Sequence, residues 1–372
     1  MRTIFIAMPS VSTKNPVMTA PHAPDLVAEP VLPPYREPVT TFPVRVAWWP
    51  GRSFVIDFIN VLTLGTVLVP TVLVVWATVF FWGRWVGPFE VVLFVVFTVA
   101  TGLGITLGNH RFFTHGAFET SPFLKRTLGV LGAMAVQGPL LFWCSCHRLH
   151  HQHSDHEGDL HSPHLSGDGT WGRIKGLFHA HMGWIVWTGS YRYRAKTVRD
   201  LYADPDIRFI DHYYLHWAFL SLALPAAAGG LWHRSWEGAM LGLLAGGIVR
   251  IAVIHHLTWA VNSFGHVYGG QSFRTHDQSR NNFFLALVGL GDGWHNNHHA
   301  FPRSARHGMK KGEVDFTYQV IRLLEKAGAV WKVRLIPAEQ LAKKALSGVG
   351  AVPVPASVPA RPEPRPVPSA KA

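Results

Sequence analysis

The chain has 372 residues, 48% of them hydrophobic and only 15% charged, with a formal net charge of +12. Soluble domains average about 25% charged residues, so the composition excludes an ordinary soluble protein. The lysines and arginines gather in the polar segments between long apolar stretches. The positive charge therefore indicates membrane topology and attraction to anionic lipid, and no nucleic-acid binding is expected.

Both ends of the chain are rich in proline. Residues 1–44 and 345–372 contain few aromatic side chains and cannot bury a core, so we expect extended, mostly disordered tails. Residues 45–344 would then form one domain.

Four stretches are apolar over about the 20 residues that a helix needs to cross a bilayer. They are residues 55–82, 89–108, 213–232 and 238–261. A fifth apolar run begins at Thr127 and is interrupted by Gln137, Gly138 and Pro139, which predicts a re-entrant or interfacial segment. We predict an all-α membrane protein with four transmembrane helices and a helical cap.

Positive charge differs strongly between the loops. The connection after the first predicted span contains only Arg84, and the one between the third and fourth only Arg234, whereas residues 109–212 hold many lysines and arginines. By the positive-inside rule, both termini and both large polar segments face the cytoplasm. We expect a multi-pass protein, located in a bacterial inner membrane.

Histidines recur in three motifs that follow or lie between the predicted spans. The motifs are HRFFTH (His110, His115), HRLHH (His147, His150, His151) and HNNHH (His295, His298, His299). In the spacing His-x-x-His-His, positions i, i+3 and i+4 share one face of a helix, as metal ligands require. Two such triplets rarely arise by chance, and a pH sensor would not need ligand spacing. The pattern predicts metal binding.

The residues alone leave the metal open, because imidazole suits zinc, copper, iron and nickel. The motifs lack the glutamates of ferritin-like di-iron bundles. Eight histidines exceed the capacity of one ion, so we expect two ions, which would serve either oxidation of a lipid tail or hydrolysis by zinc. Cys144 and Cys146 cannot complete a four-cysteine site and are interpreted as packing residues.

From about Thr101 to Pro337 the sequence resembles the integral-membrane fatty acyl desaturases of the stearoyl-CoA desaturase type. The resemblance rests on GITLGNHRFFTH, HRLHHQHSD, NSFGH and GDGWHNNHHAFP. It implies a di-iron centre with nine histidine ligands, of which His266 is the ninth, and a metal-bound water held by Asn262. It also implies an O2-dependent acyl-CoA or acyl-lipid desaturase that inserts a cis double bond, at the delta-9 position.

The resemblance also assigns substrate-binding residues. Gln137, Trp143 and Thr258 match positions that line a bent acyl tunnel, with Trp143 and Thr258 forming the kink; the alternative for Trp143 is an anchor at the membrane interface. Gly102 matches a position near the closed end of that tunnel, where its lack of a side chain would favour chains of about 18 carbons. The alternative for Gly102 is close helix packing.

Several positions depart from the animal enzymes of this family. Ser145 and Cys146 replace an Arg-Asp pair, so the sequence leaves the acyl carrier open among CoA, acyl carrier protein and phospholipid. The loop from His156 to His179 is longer, and we expect its extra histidines, among them His161 and His164, to be solvated. Arg250 lies inside the fourth predicted span, where a buried charge needs a partner.

Three classes of function fit these features: a desaturase, a membrane di-iron hydroxylase or ketolase of the wider histidine-box superfamily, and a non-catalytic metal carrier. The combined motifs favour the desaturase, and a carrier would place ionisable residues along several spans. The chain contains no haem-binding domain, dinucleotide fingerprint or cysteine cluster. We therefore expect an external electron donor, a ferredoxin, rubredoxin or cytochrome b5-like protein, to dock on a basic surface.

Overall fold

The computed structural model describes residues 44–49, 52–56, 65, 69, 71–74, 87–187 and 195–346. Both proline-rich tails and most of the first predicted span, residues 55–82, lie outside these described residues. Within that span, residues 65, 69 and 71–74 are helical, but residues 55 and 56 belong to a strand.

The described chain is largely helical. Its α-helices, in chain order, are α1 (Pro88–Leu103), α2 (Pro122–Ala133), α3 (Leu140–His153), α4 (Gly169–Phe178), α5 (Trp184–Trp187), α6 (Arg199–Ala203), α7 (Pro205–His212), α8 (Tyr214–His233), α9 (Trp236–Gly242), α10 (Arg250–Ser263), α11 (Phe283–Val288), α12 (His295–Ala300), α13 (Phe316–Lys326) and α14 (Ala338–Lys344). Segments of π-helix cover Gly104–Thr114, His179–Gly183 and Leu243–Val249, and 3₁₀ turns cover Ala195–Val198 and Phe264–His266.

Strands make a small addition that the all-α prediction missed. β1 (Val44–Trp49) pairs with β2 (Arg52–Ile56), and β3 (Glu119–Thr120) pairs with β4 (Val330–Trp331), both antiparallel. The second pair joins the segment after α1 to the segment after α13, which are far apart in sequence. It thereby fixes the closing part of the chain beside the first histidine motif.

Within the described residues, three continuous helices are long and apolar enough to cross a membrane: Pro88–Thr114, Tyr214–His233 and Trp236–His266. They correspond to the predicted spans 89–108, 213–232 and 238–261. The first and third extend beyond the apolar stretches because the helix continues into the histidine motifs. The ends of two spans therefore carry His110 and His266.

The three helices run up, down and up. Only Arg234 and Ser235 separate α8 from α9, and Arg234 adopts a left-handed conformation with φ of 49°. Near this turn the carboxylate of Glu90 lies 2.7 Å from Nε2 of His233, and Phe89 stacks on Trp232. The start of the span Pro88–Thr114 thus meets the end of α8, so the histidine-bearing ends of Pro88–Thr114 and Trp236–His266 lie together at the opposite end.

Arg250 is fully buried inside the span Trp236–His266, the fourth of the predicted spans. Its guanidinium donates hydrogen bonds of 2.8–2.9 Å to the backbone carbonyls of Gly246, Met134 and Ser221, and one of 2.6 Å to the Ser221 hydroxyl. The expected partner is therefore a set of oxygen atoms, one on the same helix and the others on α8 and at the end of α2. These bonds compensate for burying the charge and tie α10 to α8 and to the end of α2.

The fifth apolar run is broken where the sequence predicts. Between α2 and α3 the backbone turns through Val136 (φ 60°) and Gly138 (φ 98°), which confirms the predicted interruption. Asp211 then accepts a 2.8 Å hydrogen bond from the backbone N–H of Leu141 and so caps the first turn of α3. Because α3 carries the second histidine motif, this turn and cap orient the site.

The two cysteines are buried thiols, as predicted. Cys144 packs in a hydrophobic cluster with Leu107 and Leu141, and Cys146 packs in a second cluster with Phe142 and Trp259. α3 is therefore held by apolar contacts on two sides, while its remaining face turns the histidines inward.

Replacing Asp211 by Asn should stabilise the protein at alkaline pH. Burial raises the pKa of Asp211 to about 6, against the bond from Leu141, which lowers it. Because the folded-state pKa lies above the unfolded value, stability falls as pH rises through about 4 to 6, by up to about 3 kcal/mol. Asn is neutral and can accept the same bond. We expect a higher melting temperature for D211N in detergent at pH 8, with a smaller gain at pH 5.

Asp206, which lies with Asp211 on α7, provides the control. Hydrogen bonds from Lys125 and Arg126 lower the pKa of its carboxyl, so D206N should lose stability at pH 8. Equal melting temperatures for D211N and the wild type at pH 8 would contradict the cost assigned to burying the Asp211 charge.

Candidate metal centre

The structure brings the nine predicted histidines together in two sets. The five-histidine set is His110, His115, His147, His151 and His298, and the four-histidine set is His150, His266, His295 and His299. Within each set, the potential ligand atoms all lie within 4.8 Å of one another. His115, His147 and His151 are half-buried, and the other six are buried.

Each His-x-x-His-His triplet is divided between the sets. On α3, His147 and His151 enter the five-histidine set and His150 enters the other. On α12 the distribution is reversed, because the i, i+4 pair His295 and His299 enters the four-histidine set and His298 the five-histidine set. Each of these two helices therefore contributes histidines to both sets.

The π-helix explains how the first motif contributes two ligands. The N–H of His115 bonds the carbonyl of His110 at 3.2 Å, an i to i+5 contact that widens the turn. The wider turn brings side chains five residues apart toward one face, and the two imidazole rings lie 5.2 Å apart between centroids. Such segments are frequent at functional sites.

The distances between nitrogen atoms fit metal ligands. In the five-histidine set, Nε2 of His151 lies 2.8 Å from Nε2 of His298 and 3.1 Å from Nε2 of His147. Two imidazoles bound to one ion at about 2.1 Å and a right angle would have nitrogens about 3 Å apart. In the four-histidine set, Nε2 of His150 and of His299 is buried without a hydrogen-bond partner in the described chain. Metal coordination would satisfy these atoms.

A carboxylate holds the outer nitrogen of four of these histidines. Their Nδ1 atoms lie 2.7–3.0 Å from carboxylate oxygens, in the pairs His110 with Asp292, His150 with Asp159, His266 with Asp155, and His299 with Asp277. A proton on Nδ1 leaves Nε2 free to bind metal, and such partners orient the ring and raise its basicity. None of these four aspartates was predicted as part of the site.

Most of the imidazoles are held in the neutral form that binds metal. Burial, followed by repulsion from neighbouring imidazoles, lowers the pKa of six of them well below the usual value; these are His115, His147, His151, His295, His298 and His299. Burial also disfavours charge on His150, but the attraction and hydrogen bond of Asp159, together with attraction from Asp155 and Asp277, outweigh it and raise the pKa. Neutral imidazole is the ligand form.

Arg111 connects the span Pro88–Thr114 to the closing segment of the chain. It is fully buried, and its guanidinium bonds Asp292 and Asp315 at 3.1 Å and the carbonyl of Ala305 at 2.8 Å. Asp292 therefore bridges Arg111 and His110. This bridge fixes the position of one ligand from two sides.

The paired asparagines of HNNHH anchor α12. Asn296 accepts hydrogen bonds from the backbone of Ser272 and Phe273, and Asn297 donates to the carbonyl of His307. Both asparagines are fully buried. They hold a helix of only six residues in the orientation that divides its histidines between the sets.

The prediction of solvated loop histidines is wrong for His161. It is 3% exposed and its ring centre lies 4.2 Å from that of His150, because the loop folds back when Asp159 accepts the N–H of His161. Burial lowers the pKa of His161 to about 3. His164 is exposed, yet its Nε2 donates to the carbonyl of His266 at 3.0 Å.

His307, which was not predicted, lies beside the five-histidine set, and Asn262 was predicted to support the centre. His307 is fully buried, with its ring centre 4.5 Å from that of His298, and the sequence gave no spacing signal for it. Asn262, predicted to hold a metal-bound water, is half-buried and lies four residues before His266. Its role stays a prediction.

Three predicted tunnel residues form a hydrogen-bonded chain next to the five-histidine set. The indole N–H of Trp143 donates to Gln137 at 3.0 Å, and the Gln137 amide donates to the Thr258 hydroxyl at 2.8 Å. The Trp143 ring also stacks on His147, with centres 5.1 Å apart. These hydrogen bonds thus join the turn before α3, α3 itself and α10.

Gly102 differs from its neighbouring glycines. A Cβ atom on Gly102 would lie 3.2 Å from the side-chain end of Leu290, whereas one on Gly104 would overlap the backbone of Leu131 and Gly132. Close helix packing in this span therefore falls on Gly104. Gly102 faces a flexible side chain.

A bundle of membrane-spanning helices that ends in two adjacent histidine sets defines a membrane protein with a histidine-rich metal centre. Comparison with known proteins agrees with that class. The family model of the fatty acid desaturases matches residues 88–312. The chain belongs to the fatty acid desaturase family, and it is therefore an oxidoreductase.

The chain is also similar to individual proteins whose names specify different acyl carriers. The chain is 39% identical over 282 residues to a hex-5-enoyl-[acyl-carrier protein] acetylenase of Moorena producens (strain JHB), covering 75% of this chain and 88% of the relative. It is 35% identical over 250 residues to an sn-1 stearoyl-lipid 9-desaturase of Anabaena variabilis, covering 67% and 85%. It is 36% identical over 247 residues to an icosanoyl-CoA 5-desaturase of Limnanthes douglasii, covering 65% and 64%.

Replacing Asp277 by Asn should weaken metal binding at the four-histidine set by about 10–100-fold, the range expected for an outer partner of a ligating histidine. Asn can keep the bonds from Ser279 but offers His299 a poorer acceptor. The measurement is iron retained by the purified protein against increasing chelator. D168N, at an exposed carboxylate just before α4, is the control. Identical iron retention in both variants would contradict the role of Asp277.

Proposed function

We propose that this protein is an O2-dependent fatty acyl desaturase that inserts a cis double bond into a saturated acyl chain. The observation that carries the proposal is the division of nine histidines into a five-histidine and a four-histidine set at one end of the membrane-spanning helices. Each set offers enough imidazole for one ion. Family membership supports iron, and we propose two iron ions with O2 as co-substrate.

Iron bound in the two sets would supply an oxidant, made from O2 and two external electrons, strong enough to remove two hydrogens from an unactivated methylene pair. The protein's own contribution is ligand orientation and exclusion of water. The carboxylates of Asp155, Asp159, Asp277 and Asp292 hold the outer imidazole protons of four rings, so those rings keep one tautomer. Burial of six of the nine rings keeps bulk water from the centre.

The substrate would approach the five-histidine set. Its half-buried members, His115, His147 and His151, make it the more accessible of the two, and the Trp143 ring lies directly on His147. We propose that the Gln137 amide, which bridges Trp143 and Thr258, rigidifies a kink that holds one C–C bond beside this set. Fixing the reacting carbons in this way converts binding energy into rate.

The carrier and the double-bond position follow from similarity alone. We propose a long-chain acyl-lipid or acyl-CoA substrate and delta-9 insertion, supported by the stearoyl-lipid 9-desaturase among the relatives. The proposed donor of the two electrons is an external ferredoxin, rubredoxin or cytochrome b5-like protein. The proposed location is a bacterial inner membrane, with both termini and the histidine sets on the cytoplasmic side.

Expression in a host that lacks desaturase activity, followed by fatty acid analysis, tests this function. We expect cis-monounsaturated chains from the wild type and more than about 100-fold less from H151A or H299A, a loss beyond that of outer partners. H153A is the control, because His153 also lies on α3 but belongs to neither set. Hydroxylated or keto products in place of unsaturated ones would overturn the desaturase proposal.

Gly102→Tyr should shorten the acyl chains that the enzyme accepts. If Gly102 lies at the closed end of the tunnel, a Tyr side chain displaces Leu290 and fills the space, at a cost of about 0.8 kcal/mol of binding per excluded methylene. The measurement is product chain length in a variant with normal expression and iron content. G104A is the control, since its methyl group meets backbone and should lower expression without changing product length. A Gly102→Tyr enzyme with normal folding and wild-type products would exclude the tunnel-end role.

A further inference from the structure

Helix α4 carries large apolar side chains that are about half exposed or more. Trp171, Ile174 and Phe178 are 66%, 51% and 48% exposed, and Leu165 just before the helix is 50% exposed. The helix positions recur at i, i+3 and i+7, which places them along one side. This apolar face lies on the loop between His156 and His179.

The opposite side of α4 is built for close contact. Gly172 and Gly176 are buried, and a Cβ atom on either would overlap a backbone carbonyl, of Gly167 and Pro163 respectively. The helix therefore lies flat on its own loop through glycines. Its bulky side chains have no room on that side, so their exposure is a fixed property of the fold.

The height of α4 relative to the bilayer is set by its attachment. The helix continues through the π-helical segment into α5, where Trp184 packs with Trp259, and His181 lies 3.0 Å from the hydroxyl of Ser263. Both Trp259 and Ser263 lie in the last two turns of the span Trp236–His266. The C-terminal end of α4 thus lies near the point where a membrane-spanning helix ends.

The charged side chains of α4 have the distribution of an interfacial helix. Lys175 flanks the apolar face, with its ammonium nitrogen 5.6 Å from the centre of the Trp171 ring, and could reach upward to lipid phosphate. Arg173 is exposed and lies about 200° around the helix from Trp171, on the side facing water. Tryptophan is enriched at the membrane interface for its amphipathic ring.

We propose that α4 lies in the plane of the membrane, on the side that carries the histidine sets, with Trp171, Ile174 and Phe178 inserted between phospholipid acyl chains. Lys175 contacts headgroup phosphate, and Arg173 points to water. The partner of this surface is the phospholipid bilayer itself. The anchoring fixes the depth of α5 and α10, and with them Thr258, relative to the lipid headgroups.

Site-specific fluorescence in vesicles tests this placement. The full-length, iron-loaded protein would be reconstituted into phosphatidylcholine and phosphatidylglycerol vesicles after labelling Ile174→Cys or its neighbour Arg173→Cys with a polarity-sensitive maleimide dye. Cys144 and Cys146 are buried, so the label goes to the introduced thiol. Iron content and fatty acid products confirm that each labelled protein is intact, independently of the dye signal.

We expect the dye at position 174 to emit at shorter wavelength than the dye at position 173. Lipid that carries a nitroxide near the headgroup end of its chain should quench the dye at position 174. Aqueous iodide should reach that dye at least about threefold less than the dye at position 173. Phe178→Cys serves as a second probe of the same face if Ile174→Cys loses iron. Equal iodide quenching at both positions would overturn the proposal. A dye shielded from both iodide and lipid nitroxide would also overturn it, because a second copy or another protein would then cover the face.

Discussion

The structure depends on bringing nine imidazoles together at nitrogen separations near 3 Å, where burial and mutual repulsion lower the pKa of six of them. Four aspartates meet this constraint by fixing protons on the outer nitrogens. They come from loops, and each loop must return to the ends of the membrane helices. The extended spans, the π-helix at His110 and the buried Arg111 all serve this convergence.

Much of the architecture is encoded in local patterns. Apolar length predicted three helices that the structure contains, and the glycine and proline after Gln137 predicted the break before α3. The two His-x-x-His-His triplets of the candidate metal centre were found because their spacing along a helix is visible in sequence, whereas His266 was assigned by the family resemblance. The strand pair β3–β4 was missed because two residues on each side give no periodic signal, and their pairing is set by tertiary contacts.

The carboxylates that support the histidines were not predictable in the same way. Asp159 follows His150 by nine residues, and Asp277 precedes His299 by 22, so neither stands in a fixed helical register with its partner. Both contacts exist only because a loop folds back. His161 was misjudged for the same reason, since a histidine in a long polar loop carries no sign that the loop returns to the core. The division of each triplet between two sets likewise depends on the relative placement of α3 and α12.

That division links the two sets mechanically. α3 gives two ligands to the five-histidine set and one to the other, and α12 does the reverse, so neither set is complete until both helices are seated. If each set binds one ion as proposed, an ion that enters one set would fix the rotation of both helices and remove much of the ordering cost for the second ion. Metal uptake would then be cooperative, and half-loaded protein would be a minor species. The apoprotein and the fully loaded protein would be two states of one switch, with a threshold set by the supply of metal in the cell.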